Sequence, residues 1–191
     1  PVQDPIKSGY RRSFIKPEKL RESRLYYPYM YDAVRKTSTT LNTHSDDFNG
    51  ALMQGGGYRQ VYYKTAAMLY NLQYVLGDDL FLKAMQHYFN QWKICHPYFE
   101  DFRNSIIQYT KVDLNWFFDQ WLETSKTIDY GVKSVKKREE NEYIITFKRK
   151  SGMQMPIDFE VETKSGEKFQ YHIPNTWFVK KTNAAVLPKW F

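Results

Sequence analysis

The stretch GGGYRQVYYKTAAMLYNLQYVLGDDLF, residues 55–81, contains the helical pattern around which the rest of the chain can be assigned. After Tyr62, apolar and long side chains recur at helical spacing at Ala66, Leu69, Gln73 and Leu76. Gly77 then stands where a left-handed C-cap belongs, so we expect the helix to end there. Two neighbouring tyrosines, Tyr62 and Tyr63, lie where the pattern begins, and either hydroxyl is a candidate for chemistry.

Three more helices are predicted after this one. Asp78 or Asp79 caps the first of them, whose apolar stripe is formed by Phe81, Leu82, Met85, Tyr88, Phe89 and Trp92. The next is marked by Phe99, Phe102, Ile106 and Ile107. Asp113 caps the last, which is expected to bury Trp116, Phe117 and Trp121. These patterns therefore predict a helical bundle in the middle of the chain.

The pattern changes after residue 128 to short runs in which apolar and polar residues alternate. The apolar positions are Val132 and Val135, then Tyr143, Ile145 and Phe147, then Ile157, Phe159 and Val161. Turn signals separate the runs at Glu140-Asn141, Ser151-Gly152 and Ser165-Gly166. This alternation predicts the antiparallel strands of a small β-sandwich.

The fold class predicted from these patterns is α+β, with a helical bundle in residues 1–128 and a β-sandwich domain in residues 129–191. The second part is shorter than the roughly 100 residues of a usual sandwich, so it is small or incomplete. The first 45 residues contain four prolines, Pro1, Pro5, Pro17 and Pro28, and a patchy helical pattern between Glu18 and Arg35. The start of the chain has neither an initiator Met nor an apolar signal core, and we expect it to be cut at its front.

Composition and charge exclude several classes of protein. Hydrophobic residues make up 42% of the chain and aromatic residues 18%, which is typical of a folded protein. The net charge of +7 is terminal, because residues 46–129 hold seven Lys and Arg against ten Asp and Glu. The basic residues near both ends alternate with acidic ones, so we predict solvated faces and no nucleic-acid groove. No apolar run has the length of a membrane span.

The sequence offers no metal or nucleophile motif. The four histidines lie far apart, no H-E-x-x-H is present, and the single cysteine, Cys95, excludes both an internal disulfide and a thiolate zinc site. Cys95 and His96 are neighbours in sequence, which point in different directions on a helix or strand, so we interpret them as loop residues. Gly55 to Gly57 follow no predicted strand and do not fit G-x-G-x-x-G, which favours a flexible lead-in to the helix.

The string from Val61 to Leu122 resembles the zinc aminopeptidases of the gluzincin class, the family of aminopeptidase N. The family pattern begins Val-Tyr-Glu-Lys-Gly-Ala, and the residues that match its head are Val61, Tyr62, Lys64 and Ala66. The rest of the pattern matches in order at Leu76-Gly77, Phe81, Tyr88, Asp101-Phe102, Asp113-Leu114 and Trp121. In this family a β-domain follows the helical catalytic half, which also agrees with the pattern after residue 128.

The resemblance implies a catalytic role for Tyr62. Tyr63 replaces the family's glutamate and Thr65 its glycine, but counting back from Leu76-Gly77 without a gap places Tyr62 on the family's catalytic tyrosine. A protonated phenol can donate a hydrogen bond to the negative charge that builds on the carbonyl oxygen during peptide hydrolysis. The resemblance also makes Tyr58 and Arg59 candidates for substrate binding, and Tyr63 is expected to pack or to face solvent.

The family's zinc ligands have no counterpart in this chain. In the family, H-E-x-x-H and a third glutamate ligand lie upstream of the tyrosine, whereas the glutamates before Tyr62 here, Glu18 and Glu22, stand in a different setting. The resemblance therefore implies zinc in the full-length protein, no metal ligands in this fragment, and no activity of the fragment alone. The implied partners are a peptide substrate and an N-terminal portion of the same protein.

A second interpretation, which assigns the chain to another class of protein, stays open. The chain is then a non-catalytic helical protein-interaction module, in which Tyr58, Tyr62, Tyr63 and Tyr70 serve packing or peptide contact. The sequence does not indicate the substrate preference, the oligomeric state or the cellular compartment.

Overall fold

The computed structural model describes residues 19, 22–47, 57–139 and 142–177. The chain divides into two compact units, Pro1–Ser125 and Lys126–Phe191. The first unit is helical and the second contains antiparallel strands, so the predicted α+β class, with helices followed by a small β domain, is confirmed. None of the helices in the described ranges is long and apolar enough to cross a membrane.

The described residues of the first unit form five α-helices, and two of these follow directly on π-helical segments. Helix α1 is Tyr27–Arg35, preceded by the π-helix Glu22–Tyr26. Helix α2 is Thr65–Leu76, preceded by the π-helix Arg59–Lys64. The remaining helices are α3, Asp78–Trp92, α4, Phe99–Thr110, and α5, Asn115–Glu123.

The predicted end of α2 agrees with the structure, and the predicted cap of α5, Asp113, lies one residue before the N-cap, Leu114. The predicted cap of α3 is wrong, because its N-cap is Gly77 without a side-chain hydrogen bond, and Asp78 and Asp79 lie in its first turn. Gly77 ends α2 with a φ of +76°, a conformation that L side chains rarely adopt, so a glycine is needed there. The side chain of Asp113 accepts a hydrogen bond from the backbone N–H of Asn115, 3.0 Å away, at the start of α5. Cys95 and His96 are exposed and lie in the connection between α3 and α4.

A continuous chain of aromatic rings forms the centre of the helical unit. Tyr88 on α3 meets Phe102 on α4, and Phe102 meets Phe118 on α5, with ring centroids 4.9 and 5.8 Å apart and nearly perpendicular planes. Phe118 then meets Phe117 at 5.5 Å in the same edge-to-face arrangement. At the other end of this series of rings, Phe117 contacts Trp121 of the same helix, and Trp121 contacts Tyr29 of α1. Four helices are thereby joined through one set of rings, of which Phe102, Phe117, Phe118 and Trp121 are buried and Tyr88 and Tyr29 partly buried.

Helix α2 buries a different face from the one that its apolar spacing predicts. The predicted stripe, Ala66, Leu69, Gln73 and Leu76, is only partly buried. The buried residues are Ala67, Met68 and Leu72, and the same face continues back through Gln60 and Lys64. Because two polar side chains occupy buried positions at the start of this face, the hydrophobic pattern alone assigns the inward side wrongly.

In its described residues, the second unit contains two antiparallel hairpins. Strands β1, Tyr130–Glu139, and β2, Glu142–Arg149, form one sheet, and strands β3, Ile157–Glu162, and β4, Lys168–Ile173, form the other. The predicted apolar positions pair across the strands, for example Val132 with Phe147 and Phe159 with Tyr171. Phe147 also contacts Phe159 with ring centroids 4.9 Å apart, so these rings connect the two sheets.

Two of the three predicted turns of this unit lie in the described residues. Ser151-Gly152 connects β2 to β3, and Ser165-Gly166 connects β3 to β4, where Gly166 has a φ of +88°. The predicted turn at Glu140-Asn141 lies outside the described residues.

Candidate functional site

The candidate catalytic tyrosine lies in a π-helical segment, Arg59–Lys64, which we call the tyrosine turn. The backbone N–H of Thr65 donates to the carbonyl of Gln60, five residues earlier, which is the spacing of a π-helix. The backbone is already helical at Gly57 and Tyr58, so Tyr62 lies within the helix and not at its first residue as the sequence suggested. Segments of π-helix are rare and occur frequently at functional sites.

The tyrosine turn presents Tyr62 to solvent. The side chain of Tyr62 is 59% exposed, whereas Tyr63 next to it is half-buried. Val61, before Tyr62, is also exposed. Gln60, which precedes Val61, and Lys64, which follows Tyr63, are buried. The outward position of Tyr62 leaves its hydroxyl accessible to a ligand.

Tyr58 contacts the rings of both candidate tyrosines, Tyr62 and Tyr63. Its ring is 4.6 Å from the ring of Tyr62 and 5.7 Å from that of Tyr63, measured between centroids. The first pair is tilted and the second is edge-to-face, which are favourable arrangements for aromatic rings. The structure therefore brings Tyr58 and Tyr62 together in one partly exposed aromatic cluster.

Arg59 faces helix α1. Its Nε atom is 3.2 Å from Oδ2 of Asp32, a side chain that is almost fully buried, and its guanidinium lies 5.3 Å from the ring centroid of Tyr31. About a third of the Arg59 side chain stays exposed. The guanidinium thus neutralises a buried carboxylate next to the aromatic cluster, and its predicted contact with substrate stays a prediction.

Asp32, Gln60 and Lys64 are buried polar residues of this site that sequence reasoning did not single out for a role. Gln60 donates from Nε2 to Oδ2 of Asp32 at 3.5 Å and accepts from the hydroxyl of Ser38 at 3.3 Å. The ammonium of Lys64 donates to the backbone carbonyls of Thr39 and Thr124, the latter at 3.2 Å. The sequence signals were the match of Lys64 to the head of the family pattern and the spacing of Gln60 and Lys64, four residues apart in the segment before α2.

Burial changes the proton affinity of Lys64. The side chain is 1% exposed, and this burial lowers the pKa of its ammonium from 10.5 to about 8. A neutral amine keeps two N–H donors, which is enough for the two carbonyls that Lys64 contacts. Loss of the proton is therefore compatible with the same two hydrogen bonds.

The stability of the protein is expected to gain a contribution from Lys64 as the pH rises. The unfolded lysine keeps its proton to about pH 10.4, so unfolding takes up a proton between pH 8 and that value, and folding is favoured increasingly across this window. Relative to Lys64→Met, the unfolding free energy of the wild type should increase by about 2 kcal/mol between pH 7 and 10. Urea unfolding of both proteins at several pH values measures this difference.

A constant difference between the two proteins over that range would contradict the expected shift. It would mean that the two carbonyls hold Lys64 in its protonated form. Other groups that titrate in the same window are present in both proteins, so their effects cancel in the comparison.

The described residues offer no metal site built from His, Cys, Asp or Glu side chains. Within the ranges that the structure describes, no group of three or more His, Cys, Asp or Glu side chains is placed to hold one. The features that remain at the tyrosine turn are one accessible phenol, an aromatic surface and a neutralised arginine. Such an arrangement can bind a ligand and donate a hydrogen bond to it.

Comparison with known proteins gives one match. Residues 31–121 match the family model described as the Peptidase family M1 domain. No curated protein and no solved structure matches the chain. The matched segment begins at the first turns of α1, ends in α5, and includes Asp32 and the whole tyrosine turn. The match supports an origin of this helical segment in peptidase family M1.

Proposed function

We propose that this chain is part of a zinc aminopeptidase that removes N-terminal residues from peptides, and that Tyr62 donates a hydrogen bond to the oxygen that becomes negative during hydrolysis. The observation that carries the proposal is the exposed position of Tyr62 on the π-helical turn, inside the segment that matches the peptidase family. The order of motif residues from Val61 to Trp121 supports the same assignment.

A tyrosine suits this role because of its chemistry. Its hydroxyl is neutral and carries one donor, so it can approach a neutral carbonyl in the substrate and bind the oxyanion more strongly. Only an interaction that is stronger in the transition state than in the ground state accelerates the reaction. Tyr58 contacts the Tyr62 ring, with centroids 4.6 Å apart, and this contact favours the observed position of the ring that carries the hydroxyl.

The described residues of this chain do not fit a zinc site. The sequence lacks H-E-x-x-H, and the described residues hold no cluster of three ligands. Zinc in such enzymes supplies an activated water, and we assign its ligands to residues of the encoded protein outside this chain. The part that we assign to this chain is limited to one donor and one wall of the substrate cleft, with Tyr58 and Arg59 beside the donor.

Hydrolysis by the encoded protein that contains this chain tests the proposal. With zinc present, it should release the aniline from aminoacyl anilides and leave the N-acetylated analogues intact, since an aminopeptidase needs a free amine. The 191-residue chain alone should show neither this hydrolysis nor stoichiometric zinc binding, because it offers no convergent ligand set. A tight complex with one zinc per chain by metal analysis would overturn the assignment of the ligands to other residues.

The competing function is a non-catalytic interaction module. The exposed rings of Tyr58 and Tyr62 favour it, since aromatic residues of this kind are enriched in binding surfaces. This reading predicts no hydrolysis by the encoded protein under any metal condition. The anilide assay therefore separates the two functions.

A further inference from the structure

Lys64 is buried to a degree that is unusual for lysine. Its side chain is 1% exposed, while lysine is almost never fully buried unless it is paired. In the described residues, the hydrogen bonds of its ammonium go to two backbone carbonyls, those of Thr39 and Thr124. A buried ammonium without hydrogen bonds is very unfavourable, so these two carbonyls are required to keep it inside.

The two carbonyls belong to different parts of the helical unit. Thr124 follows the last residue of α5, where carbonyl groups lack partners within the helix and carry partial negative charge. Thr39 belongs to the loop of residues 37–42, which is itself bound to α5 because the backbone N–H of Asn42 donates to the carbonyl of Leu122 at 3.1 Å. Lys64 therefore joins the tyrosine turn to this loop and to the end of α5 at one point.

The other end of the tyrosine turn is held by a separate set of contacts. Arg59 and Gln60 both approach the buried carboxylate of Asp32 on α1, and Gln60 also accepts from Ser38 of the same loop. Between these two ends, Val61 and Tyr62 point outward. The turn is thus fixed on both sides of the exposed tyrosine by inward-facing polar groups.

We propose that Lys64 is a positioning residue for Tyr62, because its bonds to the Thr39 and Thr124 carbonyls clamp the tyrosine turn and so fix where the hydroxyl lies. The π-helical geometry makes such a clamp necessary, since an uncommon backbone conformation persists only when its surroundings determine it. The catalytic consequence rests on the proposed function. A donor that is displaced by about 1 Å can lose a large part of its effect on the rate.

The clamp itself is tested on the 191-residue chain by amide hydrogen exchange. Lys64→Met keeps an apolar stem and removes the donor that the part-buried carbonyls of Thr39 and Thr124 share. Exchange of the amides in residues 59–65 should accelerate about tenfold or more, while the amides of α4 stay unchanged. The matched control is Lys83→Met, at an exposed lysine of α3, which should leave both regions unchanged.

Two outcomes of the exchange measurement overturn the proposal. One is unchanged exchange in residues 59–65, and the other is an equal acceleration in α4, which would show a general loss of packing. If Lys64→Met does not give folded protein, Lys64→Gln replaces it, because the glutamine amide keeps N–H donors. Lys64→Gln should then accelerate exchange in the turn less than tenfold, and no acceleration at all would also overturn the proposal.

The positioning role is tested in the encoded enzyme by a double-mutant cycle. Lys64→Met should lower kcat about tenfold with little change in KM, and should lower it much less when Tyr62 is already phenylalanine. An equal loss in both backgrounds would show that Lys64 does not act through Tyr62. If Tyr62→Phe itself keeps normal turnover, the proposed function fails, and the exchange measurement still decides whether the clamp exists.

Discussion

Under the proposed function, replacing Tyr62 by phenylalanine in the encoded protein that contains this chain is expected to lower turnover by about 10² to 10³, the range that follows the removal of one oxyanion donor. The substitution keeps the ring, and with it the contact with Tyr58, whose centroid is 4.6 Å away. Because the side chain is 59% exposed, removing its hydroxyl leaves no buried polar group without a partner, so folding should barely change. Steady-state kinetics should show the loss in kcat, with KM little altered.

Tyr63→Phe is the matched control for this substitution. Tyr63 lies next to Tyr62 in sequence and also contacts Tyr58, but it is half-buried on the turn. Its hydroxyl has no assigned role in the reaction, so turnover should stay within a few fold of the wild type. A large loss in Tyr63→Phe with normal turnover in Tyr62→Phe would mean that the alignment with the family pattern is displaced by one residue.

The regular elements of the fold could be predicted from the sequence because their patterns are local. In β3, the alternation of Ile157, Phe159 and Val161 predicts a strand, and the structure pairs these residues with Ile173, Tyr171 and Phe169 of β4. The end of α2 was predicted for a similar reason, since Gly77 supplies a positive φ that other residues resist. Each of these signals depends on neighbours within a few residues.

The inward face of α2 could not be predicted in the same way. The alternative face, with Ala67, Met68 and Leu72, begins with Gln60 and Lys64, which a hydrophobic pattern counts as exposed positions. Their burial depends on Asp32, 28 residues before Gln60, and on Thr124, 60 residues after Lys64. A pattern within one helix contains no information about such distant partners.

The candidate site shows the same limit. The sequence motif identified Tyr62, and the resemblance to a family supplied its role, but neither indicated that the segment is a π-helix. The segment is contacted on both sides, by Asp32 at one end and by the Thr39 and Thr124 carbonyls at the other. The sequence was enough to propose Tyr62 for the chemistry, which stays a prediction, whereas the partners that contact its segment were found only in the structure.

The second large effect is expected for Phe118→Ala, which should lower the unfolding free energy by about 3–5 kcal/mol. Phe118 is fully buried and meets Phe102 of α4 and Phe117 of α5 edge to face. Its removal deletes a large apolar side chain, leaves a cavity that the surrounding rings fill only in part, and breaks the aromatic contact between α4 and α5. Urea unfolding of the wild type and the variant measures the loss. The two unfolding free energies should depend on urea concentration with the same slope.

Phe89→Ala separates the effect of burial from the effect of losing a phenylalanine. Phe89 belongs to α3 in the same unit, but its ring is 64% exposed, and surface substitutions usually change stability by less than about 0.5 kcal/mol. The predicted apolar stripe of α3 included Phe89, whereas the residues predicted to be buried in α5 did not include Phe118, so the sequence pattern alone would assign the larger cost to Phe89→Ala. Equal losses in Phe118→Ala and Phe89→Ala would mean that Phe89 is covered by another part of the protein, and that the ring chain through Phe118 is not the main core. A loss confined to Phe118→Ala places the core of the helical unit at the α4 and α5 rings.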